Sequence, residues 1–284
     1  MNPRPLIRIY SPEPLLGRPI ELARGIFRDV MAGRELAWRI FTRDLSAQYR
    51  QTYFGYLWAF LPPLVGALTF IFLNAQGIVR IDTGGIAYPA FAMMGTLLWQ
   101  TFADAMTSPP QALLSAKNML VKINFPREAV LMGGLLMVGF NFLVRLALVA
   151  AVMVIWKVVP SGTILIFPVA VVGLLACGFA VGLALAPLAG LYTDVVKALP
   201  MIAQFWMLLT PVVYPARTKG LAGVLATWNP VSPVISTARE SLTGQELTHL
   251  PAFFIVVACA LSIAFLGLVS FRLAMPHLIA RMGG

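Results

Sequence analysis

The sequence predicts an all-α, polytopic membrane protein with six transmembrane helices. Three observations predict it: only 11% of the 284 residues are charged, the mean hydropathy is +0.83, and the apolar residues gather in six long runs. A soluble domain carries about 25% charged residues, and each crossing of ~30 Å of hydrocarbon takes about 20 apolar ones. Six crossings use most of the chain and leave no polar tract for a separate water-soluble domain. The runs lie at roughly 55–75, 87–107, 129–156, 163–186, 197–214 and 252–272. Pro62, Pro63, Pro168 and Pro211 fall inside them and Pro187 at the edge of the fourth; a span tolerates this where neighbours re-satisfy the freed backbone groups.

Cations set the orientation, because short cytosolic segments carry the excess of Lys and Arg. With the N-terminus inside, fifteen of the 21 cationic residues fall on the inner face and five on the outer, Arg145 lying within a span. Residues 1–30 hold no signal-peptide core and are interrupted by Arg4, Arg8, Arg18, Arg24 and Arg28, so they are expected to stay uncleaved in the cytosol. An even number of crossings then puts both termini inside. The net charge of +10 suits anionic headgroups and an anionic substrate. Nucleic acid is not the expected partner, because the cations stand beside apolar runs and form no independent polar unit.

The first element is carried by "ELAWRIFTRDLSAQYRQTYFGYLWAFLPPLVG" (35–66), arginine-rich in its first half and almost free of charge in its second. On a helical wheel Trp38, Phe41, Leu45 and Tyr49 form one apolar stripe, with Arg39, Arg43 and Arg50 beside it. A helix of this kind lies in the membrane plane among the headgroups, or packs its apolar face on a partner protein; both readings stay open. The chain then turns near Gly55 and enters the bilayer, with Tyr53, Tyr56 and Trp58 as aromatic anchors.

Between the second and third runs lies "TSPPQALLSAKNMLVKINFPREAV" (107–130). Ser108 followed by Pro109 and Pro110 predicts a helix start, and Pro126 predicts its end. The product is a short cytosolic helix bearing Lys117 and Lys122, either a solvated turn or a piece that docks into something. Further on, Gly178, Gly182, Ala186 and Gly190 recur every fourth residue in the fourth run. That spacing allows close helix packing, within the subunit or at a dimer seam. The outer segment 214–251 holds two helix-like pieces separated by "WNPVSP". The second is expected to start with Ser232 as cap and Pro233 at its first position, and to stop at Gly244. Both pieces are apolar enough to dip back into the outer leaflet, under cover of protein or a water-filled cavity.

Chemistry-bearing motifs are few. The chain holds no G-x-x-x-x-G-K-[ST] phosphate loop, so it is not expected to bind and hydrolyse ATP by that device, and it holds no H-E-x-x-H and no G-x-S-x-G. No metal site is expected. Cys177 and Cys259, each inside an apolar run, read as small buried hydrophobes. Asp104 and Arg145 are the plausible charges within spans, and such groups are functional candidates by default. Asp104 falls near the cytosolic end of the second run and Arg145 in the outer half of the third. They are therefore not expected to meet, and Asn141 is the candidate partner of Arg145.

Four stretches taken together, "FTRDLSAQYRQTYFGYLWAFLPPL", "NMLVKINFPREAVL", "LLTPVVYP" and "WNPVSPVISTARESLTG", resemble the membrane subunit of ABC-type polysaccharide exporters. That family moves O antigen, capsule or teichoic-acid chains. The likeness covers the chain after about residue 33 and leaves 1–33 as a cytosolic extension with nothing carried over. It implies a six-span permease domain over 34–284 in a bacterial inner membrane, working as a homodimer with two copies of a separate ATPase. It also implies an in-plane gate helix at 34–53, a cytosolic coupling helix at 110–126 and re-entrant outer helices at 218–243. No cofactor is expected in this chain; ATP and Mg would belong to the partner.

On that reading Arg39, Arg43, Arg50 and Tyr49 receive a lipid-linked glycan with an anionic diphosphate. Lys117, Asn118, Lys122, Asn124 and Arg127 meet the ATPase. Phe91, Trp99, Phe102, Arg145, Phe205 and Trp206 are candidates to line the path, or else pack the bundle and face lipid. The wording "INFPRE" points toward O antigen. Capsule, teichoic-acid, lipo-oligosaccharide and drug export remain as other cargoes. A membrane-embedded glycosyltransferase is a further class, for which the chain offers few surface acids.

Overall fold

The computed structural model describes residues 19–50, 61–77, 81, 83–123, 125–215 and 221–282. It is helical throughout, with no strand among the described residues. In chain order come α1 (Pro19–Ala32), α2 (Arg34–Tyr49), α3 (Leu61–Ala75), α4 (Tyr88–Ser115), α5 (Lys117–Lys122) and α6 (Glu128–Ile155). A 3-10 turn (Gly162–Ile166) leads into α7 (Phe167–Leu191), followed by α8 (Asp194–Leu209), α9 (Leu221–Trp228), α10 (Val231–Thr243) and α11 (Leu250–Met282). Among the described residues, three helical stretches are long and apolar enough to cross a membrane: Glu128–Ile155, Gly162–Leu191 and Leu250–Ile279. The expected second span, within α4, carries Gln100, Thr101, Asp104 and Thr107. The described parts of the first and fifth runs, α3 and α8, are 15 and 16 residues long. The anchors Tyr53, Tyr56 and Trp58 lie outside the described residues.

α4 and α7 form the centre of the bundle, and the small-residue stripe is the reason. A Cβ on Gly178 would stand 2.5 Å from the Phe102 carbonyl oxygen, and one on Gly182 would stand 2.4 Å from that of Met106. Ala186 is fully buried, and Gly190 meets Leu113 one further step along α4. In lipid the hydrophobic effect does not drive helices together, so close backbone approach and dispersion must. Of the two uses the sequence left open, the stripe serves packing within the subunit. Cys177 is buried beside it, whereas Cys259 is exposed on α11, contrary to the expectation that both are buried.

Ser108 does not start a helix. α4 runs unbroken through Pro109 and Pro110 to Ser115, about two turns past the predicted end of the second run. The proline rings are accommodated because Gly182 leaves them room, its Cβ position lying 2.8 Å from Pro109 Cδ. The break comes at Ala116, and the short helix expected at 110–126 is the six-residue α5 followed by extended chain.

α10 likewise starts one residue before Ser232, which caps nothing. The capping position is Pro230, and the Val231 N–H is taken by Asn229 Oδ1 at 3.0 Å in an Asx turn just ahead of the helix. The predicted stop holds: Gly244 adopts the left-handed conformation that a glycine tolerates, with φ 68°.

Candidate functional site

The end of the bundle that carries the basic candidates is built on α6. α2 lies along its first two turns because glycine meets small or branched side chains there. A Cβ on Gly133 would stand 2.9 Å from Ile40 Cγ2, and one on Gly33 would stand 3.0 Å from Ala129 Cβ. The face of α2 that is buried comprises Ala37, Ile40 and Phe41, while Trp38 is 57% exposed. The apolar stripe drawn from the sequence is therefore rotated by about one position: Phe41 belongs to the packed face and Trp38 to the outward one. The opposite side keeps the arginines free of the bundle. Arg39 pairs with Glu35 at 2.7 Å and Arg43 with Asp44 at 2.7 Å, both exposed, and Arg50 is exposed. Surface pairs of this kind are worth under about 1 kcal/mol, so neither arginine is fixed in place by its acid. The Tyr49 side chain lies outside the described residues.

α5 sits at the tip between α4 and α6. Leu120 is buried and holds it, while Asn118, Val121, Lys122 and Ile123 face outward and Lys117 and Arg127 are half-buried. Exposed apolar and basic groups thus share one short knob. Asn124 lies outside the described residues.

Deeper in the bundle, Arg145 meets Asp104, contrary to expectation. The Arg145 guanidinium donates to Asp104 Oδ2 at 2.6 Å, and Asn141 Nδ2 donates to the same oxygen at 3.2 Å. The extra length of α4 is the reason, because it sets Asp104 farther from the helix end than a span stopping at 107 allows. Asn141 is therefore a second ligand of the acid and not the partner of Arg145. The pair is largely withdrawn from solvent, at 11% exposure for Arg145 and 30% for Asp104.

The aromatic candidates divide. Phe91, Trp99 and Phe102 are packed inside the protomer and line no open path there. Phe102 and Trp99 stack edgewise on Trp206 with centroids 5.3 and 6.3 Å apart. Phe91 is covered by the Arg239 guanidinium, 3.7 Å from the ring centre, a cation–π contact. Rings of this size that fill a bundle core supply dispersion contacts. Phe205 is 69% exposed.

Three arrangements had been missed. Arg272 of α11 bridges Asp29 of α1 at 2.7 Å and Glu128 of α6 at 3.2 Å, so α1 is docked on α11 and the start of α6. The spacing of Ile26, Asp29 and Gly33, three and four residues apart, is the signal for it. Asn229 also bonds Trp206 Nε1 and Thr210 Oγ1, tying α8 to the start of α10. Arg239, buried in α10, donates to the Val212 carbonyl at 2.9 Å. That corner approaches α4 so closely that a Cβ on Gly95 would stand 2.0 Å from the same oxygen.

Comparison with known proteins follows these contours. Residues 35–243, from α2 to the end of α10, match the model of the ABC-2 type transporter family. The O-antigen export system permease protein RfbA of Myxococcus xanthus is 25% identical over 225 residues, which is 78% of this chain and 85% of that protein. A protein of the same name from Klebsiella pneumoniae is 24% identical over 74% of this chain and 81% of its own length. Since the family model takes in α2, the α5 knob, the charged pair and the short helices α9 and α10 together, the chain belongs to the ABC-2 type transporter family.

Proposed function

We propose that the chain is the membrane subunit of an ATP-driven exporter that moves lipid-linked polysaccharide, with O antigen as the cargo, across a bacterial inner membrane. The observation that carries this reading is similarity, over three quarters of the chain, to permeases named for O-antigen export. Six crossings are proposed, using α3, α4, α6, α7, α8 and α11, with both termini in the cytosol. Two copies enclose the path, and two copies of a separate ATPase supply the energy.

The geometry supports a route for force. An ATPase bearing on α5 through Asn118, Val121, Lys122 and Ile123 displaces a knob held between α4 and α6. The Arg145–Asp104 bond keeps those two helices together. α2 is seated on Gly133 of α6, so a shift of α6 carries the basic helix with it. Arg39, Arg43 and Arg50 attract the anionic diphosphate of the lipid carrier, and the same motion moves them relative to the bilayer. Phe205 and Arg145 remain candidates for the wall of the path between two copies.

The test is removal of the gene. Loss of surface polysaccharide with lipid-linked chains accumulating inside is the expected result, and restoration by the intact gene completes it. Unchanged surface polysaccharide overturns the proposal.

A further inference from the structure

α1 lies ahead of residue 35, where the family match begins, and its two faces differ in kind. Ile26, Asp29 and, just past the helix, Gly33 are buried against the bundle. Gly25 lets α11 come close, since a Cβ there would stand 3.4 Å from Arg272 Nη2, and Arg272 holds Asp29 at 2.7 Å. The opposite face carries Arg24, Phe27, Arg28 and Met31, and all four are exposed. Their spacing, three, one and three residues apart, makes them neighbours on one side of the helix.

That face mixes groups that water treats oppositely. Phe27 is 66% exposed and Met31 47%. The Arg28 side chain is 74% exposed, and its Nε stands 3.9 Å from Asp29 Oδ1, beyond hydrogen-bond reach. Of the two acids in α1, Asp29 is turned inward onto Arg272, and the Glu21 side chain lies outside the described residues.

Depth is set by what α1 is tied to. Glu128 opens α6, and Arg272 is the first charge in α11, after the uncharged stretch 250–271. That stretch rises about 33 Å, enough to cross ~30 Å of hydrocarbon. A charged layer where two apolar helices end belongs among the headgroups, because charges are costly deeper in a bilayer. Arg272 gathers Asp29 and Glu128 into that layer at 2.7 and 3.2 Å, which brings α1 to headgroup depth. There, Phe27 and Met31 reach the acyl chains while Arg24 and Arg28 meet phosphate groups, an arrangement that suits a helix lying in the interface.

We propose that α1 is a membrane-surface helix whose outer face, Arg24, Phe27, Arg28 and Met31, binds the headgroups of anionic phospholipids. The bundle holds its inner face through Asp29 and Gly25, and the bilayer holds its outer one. The assignment needs only that α6 and α11 cross a membrane, for which both are long and apolar enough. It does not depend on what is carried, so its failure leaves the exporter reading to the gene removal.

The test uses the full-length chain carrying Cys177→Ala, Cys259→Ala and Phe27→Cys, with bimane on the Phe27→Cys thiol, in phosphatidylcholine nanodiscs. Either 5-doxyl-phosphatidylglycerol or 5-doxyl-phosphatidylcholine is included as quencher at the same mole fraction. Both lipids are expected to quench, the glycerol lipid at least twofold more, and Arg24→Gln/Arg28→Gln is expected to bring the two to equality. A bimane on Val154→Cys, at the far end of α6, is expected to keep its quenching through those substitutions. The comparison of the two lipids with both arginines present decides even where the arginine variant does not fold. No quenching by either lipid, as when the face meets water or a protein, overturns the proposal. So does equal quenching by the two lipids with both arginines present, or a preference for the glycerol lipid that survives their loss.

Discussion

The 2.6 Å contact between Arg145 and Asp104 joins α4 to α6, and the cost of withdrawing two charges from water makes it informative. Breaking a buried pair by removing one partner costs about 3–5 kcal/mol, because the other charge is left uncompensated. Asp104 is 30% exposed, which favours the lower end. Asp104→Asn and Arg145→Met are each expected to lower the thermal midpoint in detergent by several degrees. The double change to Leu at both positions is expected to recover much of the loss. Equal losses that simply add would show that the two residues do not act as a pair. At the same scale, the Asn229 side chain accepts from Val231 N–H and bonds Thr210; Asn229→Ala is expected to loosen the start of α10 by roughly the 1 kcal/mol typical of a lost hydrogen bond, read as faster amide exchange over 231–235.

Helices are held together here by missing side chains as much as by present ones. Gly178→Val pushes a branched group into the Phe102 carbonyl, 2.5 Å from the first added carbon, and is expected to abolish stable expression. Gly139→Ala, on α6 with nothing within 4 Å, is expected to be neutral or to gain up to about 1 kcal/mol from helix propensity. Thermal melts of the two variants in detergent check both.

A second element-scale prediction concerns α1. Arg272→Ala removes the bridge to Asp29 and Glu128, and limited proteolysis is expected to cut the chain ahead of residue 34 more readily. Unaltered cleavage would mean that the bridge does not retain α1.

The four-residue stripe was legible in the sequence because close packing requires that spacing. The start of the α5 region was not. Ser-Pro-Pro is a valid local start signal, and α4 overrides it because Gly182 on another helix makes room for the Pro109 ring. Local rules carry no knowledge of that neighbour. The burial of Phe91, Trp99 and Phe102 was hidden for the same reason, since a ring that packs and a ring that lines a path have the same sequence.

For the whole molecule, composition and cation asymmetry reached the class: an all-helical chain with apolar helices long enough to cross a membrane and a basic helix at one end. Motif order reached the family. What they missed was how the parts are tied. α2 is seated on α6 through Gly133, and α1 is tied to α11 through Arg272. These contacts depend on pairs far apart in sequence, such as Asp29 with Arg272, which no local pattern records.

Simultaneous reversal of Arg39, Arg43 and Arg50 to Glu is expected to stop export at normal protein level, because it turns the attraction for a diphosphate into repulsion. Export that persists at full rate removes the basic helix from the mechanism.

Force applied at the α5 knob from the cytosol is the claim on which the transport scheme stands. The direct measurement places a cysteine at Lys122 in a chain carrying Cys177→Ala and Cys259→Ala, and treats cells with a membrane-impermeant maleimide. Labelling in inside-out vesicles and none in intact spheroplasts is the result expected. Labelling of that cysteine from outside intact spheroplasts would contradict the scheme.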